Sequence, residues 1–180
     1  KWLSEKAGEL GIDPSRIVVA GESGGGHLTI ATGLKLKQDG DIGLISGLYP
    51  LSPYIAGSWP QEHLPSSIEN NGILIALHSN RGAMAYGIKE LEKKNPLAWP
   101  LFATEDDVQG LPPTMISVNE CDPLRDEGVA FYQLLMRAGV STRCREVRGT
   151  CHAAELFINA CPDISGDTAA DMARFAKLSG

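Results

Sequence analysis

The sequence has no Cys-x-x-Cys pair, no run of basic residues and no apolar stretch approaching the ~20 residues that cross a membrane as a helix. Each absence closes off a class of protein. Its four cysteines, Cys121, Cys144, Cys151 and Cys161, also lack metal-ligand spacing to any histidine, so nothing suggests a zinc site. They read as free thiols of a reducing, cytoplasmic environment. With 16 basic residues against 22 acidic ones the formal charge is −6, which offers nothing to nucleic acid or to an anionic membrane surface. No signal-peptide pattern opens the chain, although its first residue, Lys1, is not Met. The length of 180 residues fits one domain able to bury roughly 70% of its unfolded surface.

What the sequence does have is concentrated in "RIVVAGESGGGHLTIATGL", residues 16–34. A short apolar run enters a knot of glycines, and an apolar-periodic segment follows at once. A glycine-rich strand-to-helix turn can bind phosphate, and Gly21 and Gly26 have the spacing of a P-loop. That loop then requires Lys and Ser or Thr, where this chain has His27 and Leu28. The alternative is a nucleophile elbow, G-x-S-x-G, formed by Gly21-Glu22-Ser23-Gly24-Gly25. A nucleophile on such a tight turn leaves no room for side chains two residues before and after it, hence Gly21 and Gly25. The following helix aims its first amides at the reaction site, where Gly24 N–H is placed to meet an oxyanion.

The rest of the chain alternates strand and helix. A helix end over residues 2–10 stops at Gly11, a strand covers 16–21, and a helix covers 25–37. A second strand ends at Pro50. "TMISVNE" gives a third strand with a helix over 123–138 behind it, "STRCREVRG" a fourth, and residues 167–178 a closing helix. This order predicts an α/β fold with a mostly parallel sheet and helices on both faces. The strand at 16–21 is apolar throughout, as a strand inside a covered sheet is. Residues 1–51 and 111–180 then make the core. Residues 52–110 are an insertion far longer than a crossover needs, and their Trp, Leu, Ile and Phe content speaks against disorder. Leu64 and Ile68 are its candidate substrate contacts.

A nucleophilic serine needs a base, and the base needs an acid to orient it. His27 is too close along the chain to turn toward Ser23, and His63 and His78 fall in the insertion. His152, in the loop "RGTCHAAE" after the fourth strand, is free to reach across the sheet's carboxyl edge, or is simply a satisfied loop histidine. Asp122, directly after the third strand in "VNECDPLRDEG", is either its acid or a helix cap ahead of Pro123. Asp126 is the competing acid, already inside the helix. The order Ser23, Asp122, His152 is the chain order of an α/β-hydrolase triad. Cys121 and Cys151 each precede one of these residues, which places the two thiols in the same neighbourhood.

With these residues in place, the chain resembles the hormone-sensitive-lipase-like family of microbial carboxylesterases. The resemblance rests on "GESGGG", "PYI", "LPSSIEN", "NPLAWPLFA" with "EDDVQGLPP", "VNECDPLRDEG" and "RAGV". It implies an α/β-hydrolase fold with Ser23 as nucleophile, Asp122 as acid, His152 as base and residues 52–110 as part of a cap. It further implies a small ester as substrate, lactones included, with no metal or organic cofactor, and leaves a homodimer open. Two departures stand out. The residue after His152 is Ala153 where the family commonly has Gly, and the family's "HGGG" oxyanion loop is absent from these 180 residues. The expectation is that this loop lies upstream of Lys1, that the chain is the C-terminal portion of a longer protein, and that residues 1–180 alone are inactive. An amidase or peptidase with the same triad, and a non-catalytic ligand-binding protein on the same scaffold, are the rival readings.

Overall fold

The computed structural model describes residues 1–179. The helix expected at the start is two turns, α1 (Trp2–Glu5) and α2 (Ala7–Leu10), parted at Lys6 and closed by Gly11 in the left-handed region, φ 66°. There follow β1 (Val18–Glu22), α3 (Gly24–Gln38), β2 (Gly47–Leu51), α4 (Ser66–Glu69), α5 (Arg81–Glu92), α6 (Glu105–Val108), β3 (Thr114–Cys121), α7 (Arg125–Arg137), β4 (Thr142–Cys151) and α8 (Pro162–Leu178). The strands form one sheet in the order β1-β2-β3-β4, and every neighbouring pair is parallel. All four therefore end at the same edge.

Alternation along the strands divides the apolar residues between two layers. Ile116 and Val118 of β3 point to the side where α3 contributes Ile30 and Leu34, and α7 contributes Phe131, Leu134 and Leu135. Met115, with Tyr49 and Leu51 of β2, points to the other side and meets Phe175 of α8. Burying each of these large apolar side chains contributes about 1.5–3 kcal/mol. β1 lies at an edge of the sheet among the described residues, so Val18 and Val19 are half-buried and Ala20 is exposed. One strand expectation needs correction. β2 does not stop at Pro50. Leu48 N–H donates to Pro113 O (3.0 Å) and Ser52 N–H to Ser117 O (2.8 Å), so Pro50 costs only the rung between them.

Residues 52–110 are ordered, with α4 and α5 separated by an irregular stretch. They build a core of their own around Trp59 and Trp99, with Ala56, Leu64, Ala83 and Ala98, which joins α7 through Leu124.

Candidate active site

Ser23 occupies the single residue between β1 and α3, with φ 58° and ψ −114°, a backbone conformation that a non-glycine residue rarely adopts. The turn holds because Ser23 N–H donates to Leu51 O (2.9 Å), while Ser23 O accepts from His27 N–H (3.0 Å) and Tyr54 N–H (3.2 Å). A Cβ on Gly21 would run into the Gly25 carbonyl, as the elbow requires. On the downstream side the crowded position is Gly26, whose Cβ would stand 2.6 Å from Leu51 O, whereas a Cβ on Gly25 would meet nothing within 4 Å. The steric need inferred for Gly25 thus falls one residue later, because Gly26 is the one turned toward β2. Gly24 opens α3, so its N–H has no partner within the helix.

Asp122 and His152 come together at the ends of β3 and β4. His152 Nδ1 is 2.8 Å from Asp122 Oδ2, and both side chains are buried. A carboxylate only accepts, so Nδ1 carries the proton and Nε2 keeps a free lone pair. The other carboxylate oxygen, Oδ1, accepts from Leu124 N–H (2.9 Å) at the start of α7. Asp122 is not the helix cap that the sequence offered as the alternative: α7 begins at Arg125 with Leu124 at the cap position, and the Oδ1 bond closes the turn ahead of it. No hydrogen bond joins Ser23 to His152 among the described residues; such contacts are often long before substrate binds.

The competing residues are engaged elsewhere. Asp126 accepts from Ser66 N–H (2.6 Å) and Arg125 Nε (2.8 Å). Burial pushes its carboxyl up, but those hydrogen bonds outweigh it and leave the carboxyl below its ordinary range. His27 is buried with Nε2 donating to Ala98 O (2.7 Å), and burial holds its pKa down against that bond. His63 and His78 are exposed.

Two acids behind the site escaped the sequence reading. Glu22, next to Ser23, and Glu155, three residues after His152, approach each other below this edge of the sheet. Glu155 Oε2 accepts from Asn119 Nδ2 (2.9 Å), whereas Glu155 Oε1 and both Glu22 oxygens find no donor among the described residues. Burial, followed by the charges of Glu155 and Asp122, pushes the Glu22 carboxyl up to about 9. A proton held there is the donor the pair needs. Ala153, where the resemblance leads one to expect Gly, sits at φ 57°, ψ 25°, in the left-handed region that glycine occupies without strain.

Beside Gly24 opens an apolar cavity of about 240 Å³ walled by His27, Leu28, Tyr54, Gly82, Tyr86 and Trp99. Neither Leu64 nor Ile68 lines it: Leu64 is buried in the Trp59 cluster and Ile68 is exposed. Tyr54 stacks on Trp59 (centroids 4.1 Å apart, 14° between planes) and Tyr86 meets His27 edge-on. Glu127 of α7, fully buried, fixes this wall by accepting from Ile55 N–H (2.5 Å), Ala56 N–H (3.2 Å) and Trp59 Nε1 (2.6 Å). Its place three residues after Leu124 in "DPLRDEG" was legible, but its partners, some seventy residues away, were not.

A family described as alpha/beta hydrolase fold matches residues 1–156. Among solved structures, esterase Est22 superposes with a TM-score of 0.96 at 66% identity, covering 98% of this chain and 52% of its own. Brefeldin A esterase, described as a bacterial homologue of human hormone sensitive lipase, superposes with a TM-score of 0.91 at 43% identity, covering 97% of this chain and 50% of its own. An arylesterase of Saccharolobus solfataricus is 35% identical over 152 residues, 84% of this chain and 48% of that protein. The chain spans about half the length of the curated relatives it matches.

Proposed function

The chain belongs to the alpha/beta hydrolase fold family, and from that premise we propose that it carries the catalytic residues of a serine carboxylesterase acting on small acyl esters, lactones included. Ser23 Oγ attacks the ester carbonyl while His152 Nε2 takes its proton. Asp122 holds Nδ1–H and stabilises the imidazolium that forms. Gly24 N–H donates to the developing oxyanion in the first turn of α3. The alkoxide leaves with the proton from His152, and an acyl-enzyme remains. Water, deprotonated by the same Nε2, then releases the acid and restores Ser23. The cavity beside Gly24 takes one arm of the ester, and residues 52–110 act as part of a cap over it.

The observation that carries this reading is the buried Asp122–His152 hydrogen bond, 2.8 Å, on the same sheet edge as the strained Ser23 turn. The names of the relatives, esterases of several kinds, support it. The deciding experiment compares p-nitrophenyl acetate with the acetanilide of the same leaving ring, using the whole protein. Ester turnover alone supports the proposal. Comparable turnover of the anilide makes the protein an amidase, and binding without turnover of either makes it a ligand-binding protein.

A further inference from the structure

The ends of β3 and β4 are stitched together residue by residue. Asn119 Oδ1 accepts from Thr150 Oγ1 (2.6 Å), Glu120 Oε2 accepts from Gly149 N–H (2.7 Å), and Asp122 Oδ2 accepts from His152 Nδ1 (2.8 Å). Within this run Cys121 stands in register with Cys151, just past a shift in the pairing. Both are free thiols and both are half-buried, so a small reagent has access to them. Neighbouring strands lie ~4.8 Å apart, inside the ~4.4–6.8 Å that a disulfide spans between Cα atoms. Directly opposed residues also send their side chains to the same face of a sheet.

No other two cysteines stand in register among the described residues: Cys144 opposes Ile116. Cys144 shares β4 with Cys151 but lies seven residues earlier, ~23 Å away at ~3.3 Å per residue. Burial, helped by the charge of Glu146, pushes its thiol up to about 11, which leaves little thiolate to react. Cys161 is on a different element, at the start of α8.

We propose that Cys121 and Cys151 form a thiol–disulfide switch laid directly against the acid and the base of the site, closed by a small-molecule disulfide and reopened by a thiol reductant. One cysteine thiolate attacks a sulfur of the reagent RS–SR, the S–S bond breaks, and RS⁻ leaves and is protonated. The second thiolate attacks the protein sulfur of this mixed disulfide and expels a second RS⁻. Two protein thiols are oxidised, one small disulfide is reduced to two thiols, and the two protons pass from the protein thiols to the leaving groups. The closed form is not neutral for the site. A disulfide favours Cα atoms ~5.5–6 Å apart, whereas directly opposed residues start from the ~4.8 Å strand spacing. Closure to that favoured geometry therefore spreads the two strand ends by about an ångström, one residue before Asp122 and His152. Displacement of that size costs on the order of 10² in rate when it touches reacting groups. This effect on turnover rests on the catalytic reading above; formation of the bond does not.

The test exposes the purified protein to glutathione disulfide and reads three quantities. Thiol titration should fall by two, a peptide map should show residues 121 and 151 in one cross-linked pair, and kcat on p-nitrophenyl acetate should fall at least ~10-fold and return with dithiothreitol. Cys121→Ser and Cys151→Ser should each keep the starting kcat and be insensitive to subsequent treatment. Stable mixed disulfides without a cross-link, a cross-link to another cysteine, or a cross-link that leaves kcat unchanged would each overturn the switch. The map does not depend on esterase activity and can be made on Ser23→Ala. Should the protein turn over no ester, the downfield proton resonance of His152 Nδ1–H replaces kcat as the readout, and an unmoved resonance in cross-linked protein overturns the proposal.

Discussion

The Trp59 indole donates to Glu127 Oε2 at 2.6 Å, tying α7 to the wall of the cavity beside Gly24. With Ile55 and Ala56 also donating to Oε1, every partner of this buried carboxylate is an N–H group. An amide in its place sets an NH₂ against at least one of them. Measured above pH ~8, where this carboxyl is ionised, Glu127→Gln should lower stability by about 1–3 kcal/mol, the cost of a buried polar group left unpaired, and shift Trp fluorescence. Thermal denaturation checks it, and a variant as stable as the parent would show that these bonds contribute little.

Glu22 and Glu127 also set a pH dependence. Burial, with neighbouring acids, raises Glu22 from the ordinary 4.5 to about 9, and burial raises Glu127 to about 8 despite its three donors. The folded protein therefore holds protons that the unfolded chain has released between about 4.5 and 9. Stability is fully present below the unfolded value and declines as pH rises through the folded ones. The melting temperature should fall between mildly acidic pH and pH ~9, and Glu22→Gln should flatten the upper part of that decline. A melting temperature that climbs with pH across this window would contradict the assignment.

Ser23→Ala should lower kcat by on the order of 10⁶ with the fold intact, because the nucleophile and base act as a unit. Asp122→Asn should cost ~10⁴, since the amide no longer holds Nδ1–H in place. Asp126→Asn should leave kcat within about tenfold, its bonds running to Ser66 and Arg125 rather than to His152. Steady-state kinetics of the three variants decides, and a reversal of the two Asp variants would move the acid to Asp126.

Ala153 bears a left-handed backbone that glycine adopts freely. Relief of ~1–3 kcal/mol of strain set against ~0.5–1 kcal/mol of extra chain entropy predicts that Ala153→Gly gains about 1 kcal/mol. That corresponds to a rise of roughly 2–4 °C in Tm. A drop in Tm would mean that the loop draws its shape from Ala153 packing.

Gly82 faces the Tyr54 ring: a Cβ there would stand 2.5 Å from Tyr54 Oη. Gly82→Ala should push the phenol off its place in the cavity wall and lower kcat/KM for bulky esters several-fold more than for acetate. Equal losses on a series of acyl lengths would remove the cavity from the substrate's path.

The order of strands and helices, the glycine knot around Ser23 and the sequence of candidate acid and base were all legible along the chain, because each is written in spacing over a few residues. Turn sterics, helix periodicity and the position of a residue just beyond a strand are local properties. Packing decided the rest. Which glycine is crowded depends on how near β2 passes to α3, and so Gly26 carries the restriction rather than Gly25. The end of β2 depends on which neighbour each N–H faces, and so Pro50 interrupts a rung without ending the strand. Tyr54, Tyr86 and Trp99 share a cavity and Glu22 approaches Glu155, though the members of each set lie far apart along the chain. No periodicity encodes such meetings, because they follow from the register and crossing of elements that the chain brings together only on folding.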